Sequence, residues 1–326
     1  MRFVLAMIVV AGHLRWYAKA SIPWAAALDA FSGKGAVVGF LLISGFSIAA
    51  SQARRPEYYL RRRVLRIYPL YLVALFFAIL LELTLGPVQL PNGFIPAHGW
   101  PTMLGNLLLL QTFVVKPIGF DGPVWSLGVE FFFYICAIAF VRASPRWLWA
   151  LTAFSALCFV LPQREDLGMV YFVMSKLNAL RYLWCWLLGY LIWTHRNQLA
   201  LAALLCGVVL VHFSSATPEP LAEVTYVAVA LVLCCCGQVR IEGGTAKTMN
   251  VLGDLSYAIY LIHFPTFIFS YEVLGVRNPA LLLAIGIVVS GVAYVLVERM
   301  FKKRFLSNLV PKEKAALTSG AERAAF

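Results

Sequence analysis

The chain has 326 residues, of which 61% are hydrophobic, 14% aromatic and only 13% charged, with a mean hydropathy of +0.81. Soluble domains carry roughly a quarter charged residues. A soluble globular protein is therefore excluded, as are a disordered chain, a collagen-like repeat and a secreted disulfide scaffold, which leaves a polytopic membrane protein. Lys and Arg number 27 against 15 Asp and Glu, a net charge of +12 that suits cytoplasmic loops facing anionic lipid better than it suits nucleic acid.

Ten stretches approach the roughly 20 apolar residues that a helix needs to cross a bilayer. They run Phe3–Tyr17, Val37–Ser51, Ile67–Leu85, Val124–Val141, Trp147–Leu161, Leu177–Trp193, Leu199–Phe213, Val224–Gly237, Leu255–Tyr271 and Ala280–Val297. The expected fold is an all-α bundle of about ten transmembrane helices. The first stretch lacks the small-residue cleavage site of a signal peptide and reads as a span. Only Met1 and Arg2 precede it, so the true start is expected upstream.

Arg54, Arg55, Arg61, Arg62, Arg63 and Arg66 follow the second span, and the positive-inside rule places them in the cytoplasm. Threading ten spans from that anchor puts both termini inside, in a multi-pass protein of the plasma (inner) membrane. Gly105 to Val115 is apolar but too short to span, and reads as a re-entrant or interfacial piece. Residues 1–301 form the transmembrane domain, and 302–326 a short basic cytoplasmic tail. The seven cysteines (Cys136, Cys158, Cys185, Cys206, Cys234, Cys235 and Cys236) lie in apolar stretches without metal-like spacing and read as small hydrophobes.

Ionisable residues inside spans are costly and face the bundle interior or a wet cavity. Arg2 and His13 are eleven residues apart on the first helix, about 16 Å of rise and close to three full turns, so they share a face. In DGPVWSLGVEFFFY, Ser126 and Glu130 stand at i and i+4 on one face. Glu130 is expected about 10 Å below the outer edge, near the level of His13, where a carboxylate and an imidazole can meet; the competing structural role for Glu130 is pairing with the interior Arg181. In LSYAIYLIHFP, Ser256, Tyr260 and His263 form one helical stripe, either interfacial anchors or part of a substrate path. RRRVLRIYP is either a positive-inside anchor or a guanidinium clamp for nucleotide phosphates. The small residues of GFLLISGFSI, Gly39, Ser44 and Gly45, point first to close helix packing. His98, His195 and His212 lie in or beside loops and carry no expected catalytic role.

These strings in this order resemble the integral membrane acyltransferase family 3 over nearly the whole chain: the R-x10-H of Arg2 and His13, FLLISGF, RRVLRIYP, WSLGVEFFFY, LSYAIYLIH and Glu298 near the end of the last span. The resemblance implies a stand-alone O-acyltransferase, without the family's esterase-like second module. It would take an acyl group, most often acetyl, from cytoplasmic acyl-coenzyme A. The group would go to a hydroxyl of a cell-surface polysaccharide, glycolipid or lipid-linked sugar. Carried over by motif, His13 is the essential histidine and Arg2 its paired arginine. Arg63 and Arg66 join Arg2 as donor-binding groups, and Glu130 supports His13 in catalysis. Trp125, Ser126, Arg181, Tyr260 and His263 are expected to bind substrate. Partners expected are the acyl-CoA donor, the glycan acceptor, membrane lipid and glycan-assembly proteins, with no metal and no nucleic acid.

The cofactor head would stay at the cytoplasmic arginines while its pantetheine and acyl arm, about 15 to 20 Å when extended, reaches His13. There the imidazole would either deprotonate the acceptor hydroxyl or accept the acyl group itself, and the sequence leaves both open. The outer loops Gln89 to Thr102 and Arg164 to Lys176 are expected to set acceptor choice. The competing class is a transporter or flippase using the same intramembrane charges, although the chain shows no internal inverted symmetry.

Overall fold

The computed structural model describes residues 1–17, 23–161, 178–195, 198–214, 219–236 and 243–299. The expected loop Arg164 to Lys176 and the tail 302–326 lie outside them. Twelve α-helices are described: α1 (Arg2–Leu14), α2 (Pro23–Asp29), α3 (Gly33–Arg54), α4 (Tyr59–Leu85), α5 (Trp100–Leu107), α6 (Trp125–Phe140), α7 (Pro145–Val160), α8 (Asn178–Thr194), α9 (Gln198–Phe213), α10 (Ala222–Cys236), α11 (Gly243–Glu272) and α12 (Pro279–Ala293). A π-helical turn, Tyr294–Arg299, continues α12 and includes Glu298.

Each expected span coincides with one of these helices. Among the described residues, five segments are long and apolar enough to cross a membrane: α3, α4, Gly119–Phe140, α11 and Pro279–Val297. The others are shorter. For α1 the reason is clear, because Leu5, Ala6 and Leu14 are fully buried and the helix lies between α11 and α3 rather than against lipid. An interior helix can be short because its neighbours, not its own length, shield its ends.

The tightest helix pair is α3 with α8, and two glycines make it possible. A Cβ on Gly45 would stand 1.9 Å from the carbonyl oxygen of Trp186, and one on Gly189 would stand 2.0 Å from that of Leu42. Each helix thus presents a glycine to the other's backbone, the small-residue contact that membrane helices use in place of a hydrophobic driving force.

Between α4 and α6 the chain does not cross the bundle. A two-stranded antiparallel hairpin, β1 (Val88–Leu90) with β2 (Gly93–Ile95), pairs Val88 with Ile95 and is tied to the end of α1 by Asn92 Nδ2 donating to Arg15 O at 2.7 Å. After α5 the backbone turns through left-handed Leu109 and Thr112. Buried Asn106 holds this segment, donating to the carbonyls of Thr102 and Lys116 and accepting from Ile118 N. Tyr71 OH donates to Asn106 O at 2.6 Å. Buried non-helical backbone requires such protein partners, and among the described residues Gly105 to Val115 forms the end of α5 and the turns after it rather than a spanning helix.

A 3-10 stretch, Gly119–Val124, then leads into α6, with Phe120, Asp121 and Val124 fully buried. Helix α6 therefore starts inside the protein rather than at its surface. Of the described cysteines, Cys158 and Cys185 are buried, Cys136 and Cys234 half-buried, and Cys206 and Cys235 exposed, with no disulfide among them.

Candidate active site

Two clefts lie one behind the other along α1 and α11. The first, about 650 Å³ of empty space, is lined by Arg2, Phe40, Arg66, Glu130, Tyr134 and Gly253 among others. The second, about 1110 Å³, is lined by His13, Arg15, Trp16, Asp29, Trp125 and Phe264 among others. Arg2 opens α1 and His13 stands near its end, so the first helix links a cationic cleft to an imidazole cleft, as the eleven-residue spacing predicts.

Tyr260 lines both clefts and forms the wall between them. Its hydroxyl donates to Pro123 O at 2.8 Å and meets Ser126 Oγ at 2.6 Å. A phenol has one proton, so with that proton on Pro123 O the serine is the donor to Tyr260. The i and i+4 register of α6 then puts Glu130 one turn deeper, in the Arg2 cleft. Ser126, Tyr260 and Trp125, expected to bind substrate, all line this pair of clefts, with Ser126 and Tyr260 bonded to each other.

Glu130 does not join His13. It accepts a hydrogen bond from Tyr134 OH at 2.6 Å and lies within electrostatic reach of Arg2. The sequence expectation placed the start of α6 at the outer surface. The buried 3-10 stretch before Trp125 consumes that depth, so the carboxylate arrives at the arginine end of α1. Tyr134, four residues on, is a site residue that the sequence reading missed, although the same i, i+4 rule that joined Ser126 to Glu130 would have found it.

Arg2 also donates to Ser47 Oγ, at 3.4 Å. Arg66 lines the same cleft and stands 3.8 Å from Asp254, half exposed. Arg63 is not among the lining residues; its guanidinium packs over the rings of Tyr59 and Tyr134 at 5.7 and 5.8 Å, behind the cleft.

Arg181 lines neither cleft and does not pair with Glu130. It is buried, and its guanidinium donates to the carbonyls of Cys158 and Phe159, both at 3.2 Å. These are among the last carbonyls of α7, which have no intrahelical partner, and a cation at a helix C-terminus also complements the helix dipole. His263 is also displaced from the role expected of it: it is 1% exposed and lines neither cleft. Its Nε2 is 2.9 Å from His13 Nδ1.

The wall of the His13 cleft is aromatic, with Trp16, Phe94, Trp125, Tyr260 and Phe264, and its carboxylates are engaged within the protein. Asp29 pairs with Arg15 at 2.9 Å, and Glu219 accepts from Ser32 Oγ at 2.6 Å. Phe94, Ile95 and Pro96 bring part of the expected acceptor loop to this cleft. Of the histidines set aside, His98 donates its backbone N–H to Glu82, and His212 meets Glu223 at 2.7 Å on the surface.

Comparison with known proteins agrees with this architecture. The acyltransferase domain family model matches residues 1–298. The acyltransferase MdmB of Streptomyces mycarofaciens is 27% identical over 320 residues, covering 84% of this chain and 79% of the relative. No solved structure matches the chain significantly. A match that runs from the arginine of α1 to the end of the last apolar segment takes in both clefts and the wall between them: the chain belongs to the integral membrane acyltransferase family 3 and is a membrane enzyme that transfers acyl groups.

Proposed function

We propose that this enzyme moves an acyl group, most often acetyl, from cytoplasmic acyl-coenzyme A to a hydroxyl of a cell-surface polysaccharide, glycolipid or lipid-linked sugar. The observation that carries this reading is the pair of clefts set back to back at Tyr260, cations in one and an accessible imidazole in the other. In this reading Arg2 and Arg66 take the phosphates of the donor through charge-assisted hydrogen bonds, and Arg63 adds positive potential from behind. Glu130, held by Tyr134 OH, offsets part of the positive charge in this cleft, which Arg2 and Arg66 keep cationic. The arginine segment at the start of α4 faces the cytoplasm by the positive-inside rule, which puts both termini inside the plasma membrane and the His13 cleft on the outer side.

The rise of about 16 Å from Arg2 to His13 matches the reach of a pantetheine arm, so a thioester threaded past Tyr260 arrives beside the imidazole. His13 then takes the proton of the acceptor hydroxyl, the oxygen attacks the thioester carbonyl, the carbon–sulfur bond breaks and the thiolate leaves. An acyl-histidine route uses the same ring nitrogen as nucleophile. Because Asp29 and Glu219 are already partnered and Trp16 and Trp125 line the cleft, a sugar ring stacked on an indole suits it.

The test is mass spectrometry of surface glycans and glycolipids from wild-type, deletion and His13→Ala cells at matched membrane levels. An acyl mass increment lost from both altered strains supports the proposal, and its fragment names the acceptor. An increment retained in His13→Ala alone removes His13 from the chemistry. If no increment depends on the protein, the surface-glycan acceptor is wrong.

A further inference from the structure

The imidazole that lines the cleft is held by a second imidazole rather than by a carboxylate. His13 Nδ1 and His263 Nε2 are 2.9 Å apart, and His263 Nδ1 stands 2.7 Å from Ile259 O, one helical turn earlier on α11. The two rings lie 5.2 Å apart between centroids at an interplanar angle of 22°. Phe264 packs edge-on against His13 at 5.2 Å and Phe267 edge-on against His263 at 5.7 Å. The pair is thus fixed in orientation by aromatic contacts on both sides.

The chain of partners assigns every proton. A backbone carbonyl only accepts, so His263 carries its hydrogen on Nδ1. No described carboxylate bonds either ring; the charged side chain that acts on His13 is Arg15, itself paired with Asp29. A cation on the buried His263 would have no compensating charge, which is costly, so the ring is neutral and presents a lone pair at Nε2. His13 Nδ1 must then be the donor. The lone pair of His13 is left on Nε2, which bonds no described group of the protein, on a residue that lines the cleft.

We propose that His263 is a positioning residue that fixes His13 in the tautomer with its basic nitrogen free to act on substrate. This rests on the reading of His13 as the reacting base or nucleophile given above. When His13 Nε2 gains the acceptor proton, its Nδ1–H stays donated to His263, which in turn stays donated to Ile259 O. The positive charge is then shared along a chain of neutral acceptors. The proton returns from Nε2 to the departing thiolate, so neither histidine is changed over a turnover.

The experiment uses the full-length enzyme in lipid nanodiscs, with acetyl-coenzyme A as donor and membrane glycan extract from a deletion strain as acceptor. His263→Phe keeps the ring and removes both nitrogens. Its kcat is expected to fall about 10²- to 10⁴-fold, the range of a general base lost, while both KM values stay within about twofold. His263→Gln places an amide oxygen near the position of Nε2, accepts from His13 Nδ1, and is expected to recover most of the lost kcat. If the Phe variant does not accumulate, His263→Met, which also lacks a comparable acceptor, replaces it. A wild-type kcat in the Phe or Met variant, or a Gln variant as impaired as these, overturns the proposal. A wild-type rate in His13→Ala instead overturns the reading it rests on, so the two failures are distinct.

Discussion

The crossing of α3 and α8 is the contact whose disruption has the best-defined magnitude. In Gly45→Ala the new methyl would lie 1.9 Å from Trp186 O, 2.8 Å from Trp186 C and 3.0 Å from Tyr190 N. All three are backbone atoms of a helix, so no side chain can turn away, and the helices must part by about 1 Å to restore a tolerable contact. A gap of that size forfeits a quarter to a half of the dispersion energy of each neighbouring pair. Overpacking of this kind costs about 1–3 kcal/mol, and the backbone character of the clash places Gly45→Ala near the upper end, about 3 kcal/mol. At roughly 2 to 4 °C per kcal/mol for chains of a few hundred residues, the detergent-solubilised protein should melt about 6 to 12 °C lower. Gly291→Ala, on α12, is the matched control. A Cβ there meets nothing within 4 Å, and relief of glycine's helix penalty should leave the protein equally stable or more stable by about 0.5–1 kcal/mol. Melting curves followed by tryptophan fluorescence compare the two. Equal melting of Gly45→Ala and wild type would show that the helices do not approach this closely.

Tyr260→Phe keeps the wall between the clefts but removes the hydroxyl that joins Ser126 to Pro123 O. The expected cost is about 1–3 kcal/mol for the buried groups left without it, against about 1 kcal/mol for Ser126→Ala, because the phenol still reaches Pro123 O; denaturation of both variants gives the comparison. On the proposed reading, Arg66→Ala removes one charge-assisted phosphate contact worth about 1.5–3 kcal/mol, so the KM for acetyl-coenzyme A should rise about 10- to 150-fold with kcat nearly unchanged, as read from donor titrations of thiol release. Arg181→Met should lower the yield of folded protein on size-exclusion chromatography, by leaving the Cys158 and Phe159 carbonyls unpartnered. Activity per folded molecule should be unaltered, and a selective rise in acceptor KM would restore Arg181 as a substrate group. Trp16→Ala should raise acceptor KM without changing donor KM, which parallel titrations of the two substrates measure.

Composition and hydropathy by themselves determined the membrane class and the location of the helices that coincide with the ten apolar stretches, because lipid admits only helices or closed barrels and stretches of this length suit helices. Local periodicity also placed Arg2 with His13 along one helix and Ser126 with Glu130 along another, since residues on one helix keep a fixed geometry whatever surrounds them. Which residues meet across helices was decided only by the tertiary structure. The depth of Glu130 depends on the buried stretch before Trp125, which moves the carboxylate from the histidine to the arginine. The true partner of His13 lies 250 residues along the chain, on a stripe that by sequence reads first as an interfacial anchor. Arg181, polar and buried, looks functional until the last carbonyls of α7 are found beside it. Periodicity reports the face of one helix; the pairing of faces depends on where each helix begins, and packing against the rest of the bundle sets that.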